Sequence, residues 1–146
     1  MSRHKKDRIV SNPPLFNSFK PMGVEGKHLH SVFMSIDEYE AIRLADFLGL
    51  NHEKAAIEME ISRSTFTRLI ERARKKLSQM LVKGNKLNIE GGNIHFKQNI
   101  IKCNNCGHMF KIDIKTSLDI CPNCETSDLF NIAGSFGHGK CCFIIK

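Results

Sequence analysis

The spacing of apolar residues changes character twice along the chain. Residues 1–34 hold no sustained period and contain Pro13, Pro14, Pro21, Gly23 and Gly26, so they predict an arm or irregular loop, with a short strand near residues 30–34. From Ser35 the pattern is helical. Ser35-Ile36-Asp37-Glu38 has the capping-box form, in which the serine accepts from the first turn and the glutamate reaches back. Ala41, Leu44, Ala45 and Leu48 then share one face, and Gly49 is a natural stop. A second helix is predicted after Asn51, burying Ala55, Ala56 and Met59. Ser62 caps a third, whose stripe runs Phe66, Leu69, Ile70, Ala73, Leu77, Met80, Leu81 and ends before Gly84. Residues 85–92 read as a linker, with Gly91-Gly92 a domain boundary.

After residue 92 the period falls to two. Ile94, Phe96 and Ile100 predict a strand before Cys103, and Phe110, Ile112 and Ile114 alternate with Lys111, Asp113 and Lys115 as a second. Phe130 and Ile132 suggest a third, and the glycine-rich residues 134–146 read as a loose tail. The expected fold is α+β: an arm (1–34), an all-α helical domain with its linker (35–92), a small β module (93–133) and a flexible tail (134–146).

Charge sharpens this picture. The chain has 146 residues with a formal net charge of +7. No apolar run approaches the roughly 18 residues of a membrane span, and the basic N-terminus leads into no signal-peptide core, so a cytoplasmic protein is expected. The positive charge is unevenly placed. Residues 35–62 carry seven acidic and two basic residues, whereas residues 63–86 carry eight basic residues and only Glu71 on the acidic side. An acidic block followed abruptly by a basic one points to a polyanionic partner more specifically than the bulk charge does.

The basic block coincides with the third helix. Two helices meeting across residues 59–61 match a helix-turn-helix, with Ala55 and Ala56 allowing close approach. Arg63, Ser64, Thr67 and Arg68 would face base edges in the major groove of double-stranded DNA. Arg72, Lys75 and Lys76 would reach phosphates.

The same residues resemble a known family. Residues 36–50, Ile-Asp-Glu-Tyr-Glu-Ala-Ile-Arg-Leu-Ala-Asp-Phe-Leu-Gly-Leu, look like the core of an uncharacterised prokaryotic family of predicted DNA-binding proteins. The likeness continues through Ala55-Ala56, Ile61-Ser62-Arg63-Ser64-Thr65-Phe66, Ala73-Arg74-Lys75-Lys76-Leu77 and Ile89-Glu90-Gly91-Gly92. Phe19-Lys20-Pro21 and Gly23-Val24 match its arm, so the resemblance covers residues 1–92. It implies a helix-turn-helix similar to region four of sigma factors, with Arg63, Ser64, Thr67 and Arg68 as the base-facing set. The family usually has glycine in the turn where this chain has Glu60, a cost on the order of 1 kcal/mol if that residue must be left-handed. Some members carry a C-terminal domain resembling nitrogenase-cofactor accessory proteins. This chain has a cysteine-rich module instead, so their metabolic role does not transfer.

That module carries the second chemical signal. Cys103-Asn104-Asn105-Cys106-Gly107 and Cys121-Pro122-Asn123-Cys124 form two CxxC pairs. Four thiolates in tetrahedral geometry select Zn²⁺, with iron as the minor option, and a closed four-sulfur site predicts a structural metal in a zinc ribbon. His108 abuts the site without being needed as a ligand. His138, Cys141 and Cys142 remain, readable either as a second soft-metal or redox site or as incidental thiols on a frayed tail, the reading favoured by the glycine-rich composition.

The leading expectation is a sequence-specific DNA-binding transcriptional regulator, with the ribbon serving self-association as a homodimer, a protein partner or extra phosphate contacts. Two alternatives remain: a metal- or redox-responsive regulator sensing through its cysteines, and an RNA-binding zinc-ribbon protein. RNA readers stack bases on exposed aromatics, and with no Trp, one Tyr and the phenylalanines largely accounted for by core positions, the RNA reading is weakened. An enzyme is not expected, since no nucleophile–base motif, phosphate loop or open metal position is visible.

Overall fold

Three polar residues start three helices in the computed structural model, which describes residues 7–142. The first six residues of the expected arm and the last four of the expected tail lie outside the described residues. Ser35 opens α1 (Ile36–Ile42) with a complete capping box: Glu38 N–H donates to Ser35 Oγ at 3.4 Å, and Ser35 N–H donates to Glu38 Oε1 at 3.0 Å. Asn51 opens α2 (His52–Met59), accepting from Lys54 N–H at 2.8 Å. Ser62 opens α3 (Arg63–Lys83), accepting from Thr65 N–H at 3.2 Å, and Gly84 ends it in a left-handed conformation. Each cap satisfies a backbone donor that the first turn leaves unpaired.

The described residues divide into two compact units, one formed by residues 7–9 with 16–94 and the other by residues 10–15 with 95–142. The overall class is mixed α+β. In the first unit, Ala41, Leu44, Ala55, Ala56, Met59, Phe66, Leu69 and Ile70 form one buried cluster. Leu48 was expected in that cluster but is 50% exposed. The cause is a π-helical turn, Arg43–Phe47, in which Leu48 N–H bonds to the Arg43 carbonyl at 2.9 Å. Five-residue spacing rotates later side chains off the α-helical stripe, and Leu50 packs on the cluster instead. The α3 stripe also outruns the core: burial is complete at Ala73, while Leu81 is exposed.

The first unit is not all-α. β2 (Ser18–Phe19), β3 (Ser31–Met34) and β4 (Lys86–Ile89) form a sheet with β4 in the centre, parallel to β3 and antiparallel to β2. Residues 85–92 are therefore not merely a linker, and residues 18–34 are not merely an arm. Lys86-Leu87-Asn88-Ile89 alternates polar and buried positions, but four residues give too short a period to stand out. Their ladder partners lie far away in sequence.

β1 (Arg8–Val10) pairs with β5 (Ile94–Phe96), and the chain passes from one unit to the other within these strands. In the second unit β6 (Gln98–Cys103) lies between β7 (Met109–Asp113) and β8 (Leu129–Asn131), antiparallel to both. The consecutive residues Ile100 and Ile101, which point to opposite faces, are both buried, so both faces of β6 are covered there. Ile132 does not extend the third strand. It begins a single turn, α4 (Ile132–Ser135), capped by Asn131. The buried Asn99 holds that turn to β6, accepting from Ala133 N–H at 3.0 Å and donating to Asn131 Oδ1 at 2.7 Å. Within the described part of the expected tail, Cys142 is 1% exposed. No helix among the described residues is long and apolar enough to cross a membrane.

Candidate functional site

Two tight turns bring four thiols together. Cys103 closes β6, and Gly107 N–H bonds back to the Cys103 carbonyl at 2.9 Å. Glu125 N–H bonds back to the Cys121 carbonyl at 2.9 Å in the same way. Both turns need a left-handed residue after their second cysteine, and Gly107 (φ 75°) and Glu125 (φ 62°) supply it. Cys103 Sγ lies 3.5 Å from Cys124 Sγ, and Cys106 Sγ lies 3.7 Å from Cys121 Sγ. All four sulfurs fall within 4.8 Å of one another. A tetrahedron with metal–sulfur bonds of about 2.3 Å has edges of about 3.8 Å, so the group is compatible with a structural metal.

The surroundings favour thiolates. Asn105, in the first turn, donates its side-chain amide to Cys124 Sγ in the second; Asn123, in the second, donates to Cys106 Sγ in the first. Thr126 Oγ1 lies 3.1 Å from Cys124 Sγ and 3.5 Å from Cys103 Sγ. The Thr126 hydroxyl, then the Asn105 amide, hold the Cys124 thiol down to about 5, and Thr126 also lowers Cys103. Burial pushes Cys121 up. The sequence did mark the asparagines: each immediately precedes the second cysteine of its pair. His108 stands outside this group and stacks on Phe110, with ring centroids 5.6 Å apart.

The seven residues nominated on α3 do not share one face. Arg63, Ser64, Arg68, Arg72 and Lys75 are exposed. The Thr67 hydroxyl is drawn inward, donating to the Arg63 carbonyl at 3.1 Å and lying 2.9 Å from His52 Nδ1. Lys76 pairs with the buried Glu38 at 2.6 Å, linking α3 to α1. Arg74 makes a two-pronged ion pair with Asp46, which keeps that carboxyl below its ordinary range. Arg72 lies nine residues from Arg63, roughly half a turn away around the helix at ~100° per residue. There it lines a polar hollow with Arg8, Asp37, Glu38 and Lys76. Between α2 and α3, Glu60 is left-handed (φ 55°, ψ 44°), the conformation the glycine of the resembled turn would adopt freely.

A family model described as "Protein of unknown function DUF134" matches residues 1–97. The chain belongs to this family. Among similar proteins, a UPF0251 protein of Chloroherpeton thalassium is 44% identical over 140 residues, covering 96% of this chain and 93% of its own length. A UPF0251 protein of Pelotomaculum thermopropionicum is 40% identical over 132 residues, covering 90% and 99%. Another, from Caldicellulosiruptor bescii, is 40% identical over 141 residues, covering 97% and 95%. No solved structure matches. The DUF134 match therefore takes in β1 to β5 with the helices between them but stops before the four-cysteine group, whereas the similarity to whole UPF0251 proteins runs over a longer stretch of the chain.

Proposed function

We propose that this member of the DUF134 family is a sequence-specific double-stranded DNA-binding protein and transcriptional regulator, without enzymatic activity. Its α2–α3 pair would act as a helix-turn-helix, with the N-terminal part of α3 in the major groove. The supporting observation is the start of α3. Arg63, Ser64 and Arg68 are exposed beyond a three-residue turn whose left-handed Glu60 and capping Ser62 fix the entry to the helix. Lys75 and Arg72 would add phosphate contacts. The four cysteines would hold one structural Zn²⁺ in a zinc ribbon, available to a second copy or a protein partner. In-vitro selection from a random double-stranded DNA pool, with metal content measured on the same sample, tests this. An enriched motif is expected, and a symmetric one would indicate a dimer. Uniform enrichment of all sequences would overturn the reading.

One observation favours a second reading. The phenylalanines are not mostly core: Phe16, Phe19, Phe33, Phe47 and Phe130 are exposed, with Phe47 at 82%. Exposed aromatic rings that could stack on bases are therefore present. An RNA pool run beside the DNA pool separates the two, since RNA stacking would enrich single-stranded segments.

A further inference from the structure

The second unit gathers another set of metal-binding side chains outside the four-cysteine group. His95 comes from β5. His138, Cys141 and Cys142 come from the turn after α4. One ligand atom from each lies within 4.8 Å of the other three. Cys141 Sγ is 3.8 Å from Cys142 Sγ, and His138 Nδ1 is 3.2 Å and 3.9 Å from the two sulfurs. Metal–sulfur bonds of about 2.3 Å and metal–nitrogen bonds of about 2.0–2.1 Å give tetrahedral edges of about 3.8 Å between sulfurs and about 3.5 Å between sulfur and nitrogen. The observed spacings bracket those values.

The surroundings are built for ligation. Cys142 is buried, and its sulfur accepts the Phe96 backbone N–H at 3.2 Å, the support that backbone amides give metal-bound thiolates. The His138 ring packs edge-on against Phe96, with centroids 5.3 Å apart, and against His95 at 6.2 Å. His138 N–H bonds to the Ala133 carbonyl at 3.0 Å, tying the turn to α4. Gly137 and Gly139 have positive φ and let the chain double back within a few residues. The two sulfurs stand too far apart for a disulfide, whose S–S bond is about 2.05 Å, and all six cysteines are free.

We propose that His95, His138, Cys141 and Cys142 form a second metal centre, a Cys2His2 site for Zn²⁺, separate from the four-cysteine site. Two imidazoles and two thiolates suit this borderline-soft cation and leave no open position in a tetrahedron. The site staples the C-terminal turn onto β5. It is independent of the DNA-binding reading.

The test uses the full chain loaded with zinc and freed of loosely held metal on a desalting column. Two equivalents of zinc per chain are expected; one would overturn the proposal. Replacement by ¹¹³Cd should give two resonances in the unmodified chain, one in the four-sulfur region and one shifted toward mixed nitrogen–sulfur ligation. Two four-sulfur resonances, or a single resonance, would overturn it. This readout needs no variant, so misfolding cannot obscure it. Cys141→Ser with Cys142→Ser should lose one equivalent and only the mixed resonance. Two equivalents retained by the double variant would sink the proposal, as would an intact-mass loss of two hydrogens in the unmodified chain from a Cys141–Cys142 disulfide.

Discussion

Glu60 and Glu125 are the described non-glycine residues with positive φ, at 55° and 62°. Each occupies the corner of a tight turn, and at the corner equivalent to Glu125 the chain uses Gly107. A left-handed side-chain-bearing residue costs roughly 1–2 kcal/mol, partly offset by the entropy glycine loses on folding. Glu60→Gly is therefore expected to stabilise the first unit by about 0.5–1 kcal/mol, read as a higher denaturant midpoint at unchanged slope. No gain would mean the Glu60 side chain earns an interaction that offsets its backbone strain. At this scale the sequence is most legible where partners are close. Ser35, Asn51 and Ser62 act as caps because their targets lie three residues away. The Lys76–Glu38 pair is not legible, because the two residues are 38 positions apart and only the packing of α1 on α3 joins them.

On the proposed function, the α3 helix would separate recognition from scaffolding along its length. Arg63→Ala and Arg68→Ala are expected to cost roughly 1–3 kcal/mol at a cognate DNA site and to relax base preference, measured by titration against point-substituted sites. Lys75→Ala should instead weaken all sequences alike and lower the log–log salt slope by about one unit. If all three act uniformly, α3 is a backbone-binding surface without base readout. Lys76 belongs to a different class. Its partner Glu38 is 4% exposed and also serves the capping box of α1. Lys76→Ala leaves that carboxylate buried without its cation, so about 1–2 kcal/mol of stability should be lost in thermal or denaturant unfolding. The three helices could be read from period and caps. The π-turn and β4 could not, since one depends on a local change of hydrogen-bond spacing and the other on a parallel partner more than 50 residues away.

For the whole molecule, the two units differ in what holds them together. The first has a continuous apolar cluster in which Ala41, Ala55, Met59, Phe66, Leu69 and Ile70 are fully buried. In the second, the sheet flanking β6 is thinly covered. β7 alternates exposed with half-buried residues, and Met109, Ile120 and Phe130 are exposed, while Cys103 and Cys121 are completely buried. A module of this size rarely folds on apolar burial alone, and metal binding to four thiolates is coupled to folding. Chelation, or Cys103→Ser, is expected to unfold β6, β7 and β8 while α1, α2 and α3 stay protected in amide exchange. Intrinsic base recognition by α3 should then survive, and any affinity gained through pairing of ribbons should fall. The change of period after residue 92 and the two CxxC pairs mark the cysteine-rich part of the chain in the sequence, but not the inclusion of residues 10–15 in its unit. The sequence hid the contribution of His95, which is 43 positions away from His138 and meets it only because β5 and the C-terminal turn share one unit. Exchange protection lost across both units on chelation would show that they fold as one cooperative domain. Loss of all specific DNA binding with α3 still protected, and its return when zinc is restored, would identify the thiolates as a sensor that sets DNA affinity.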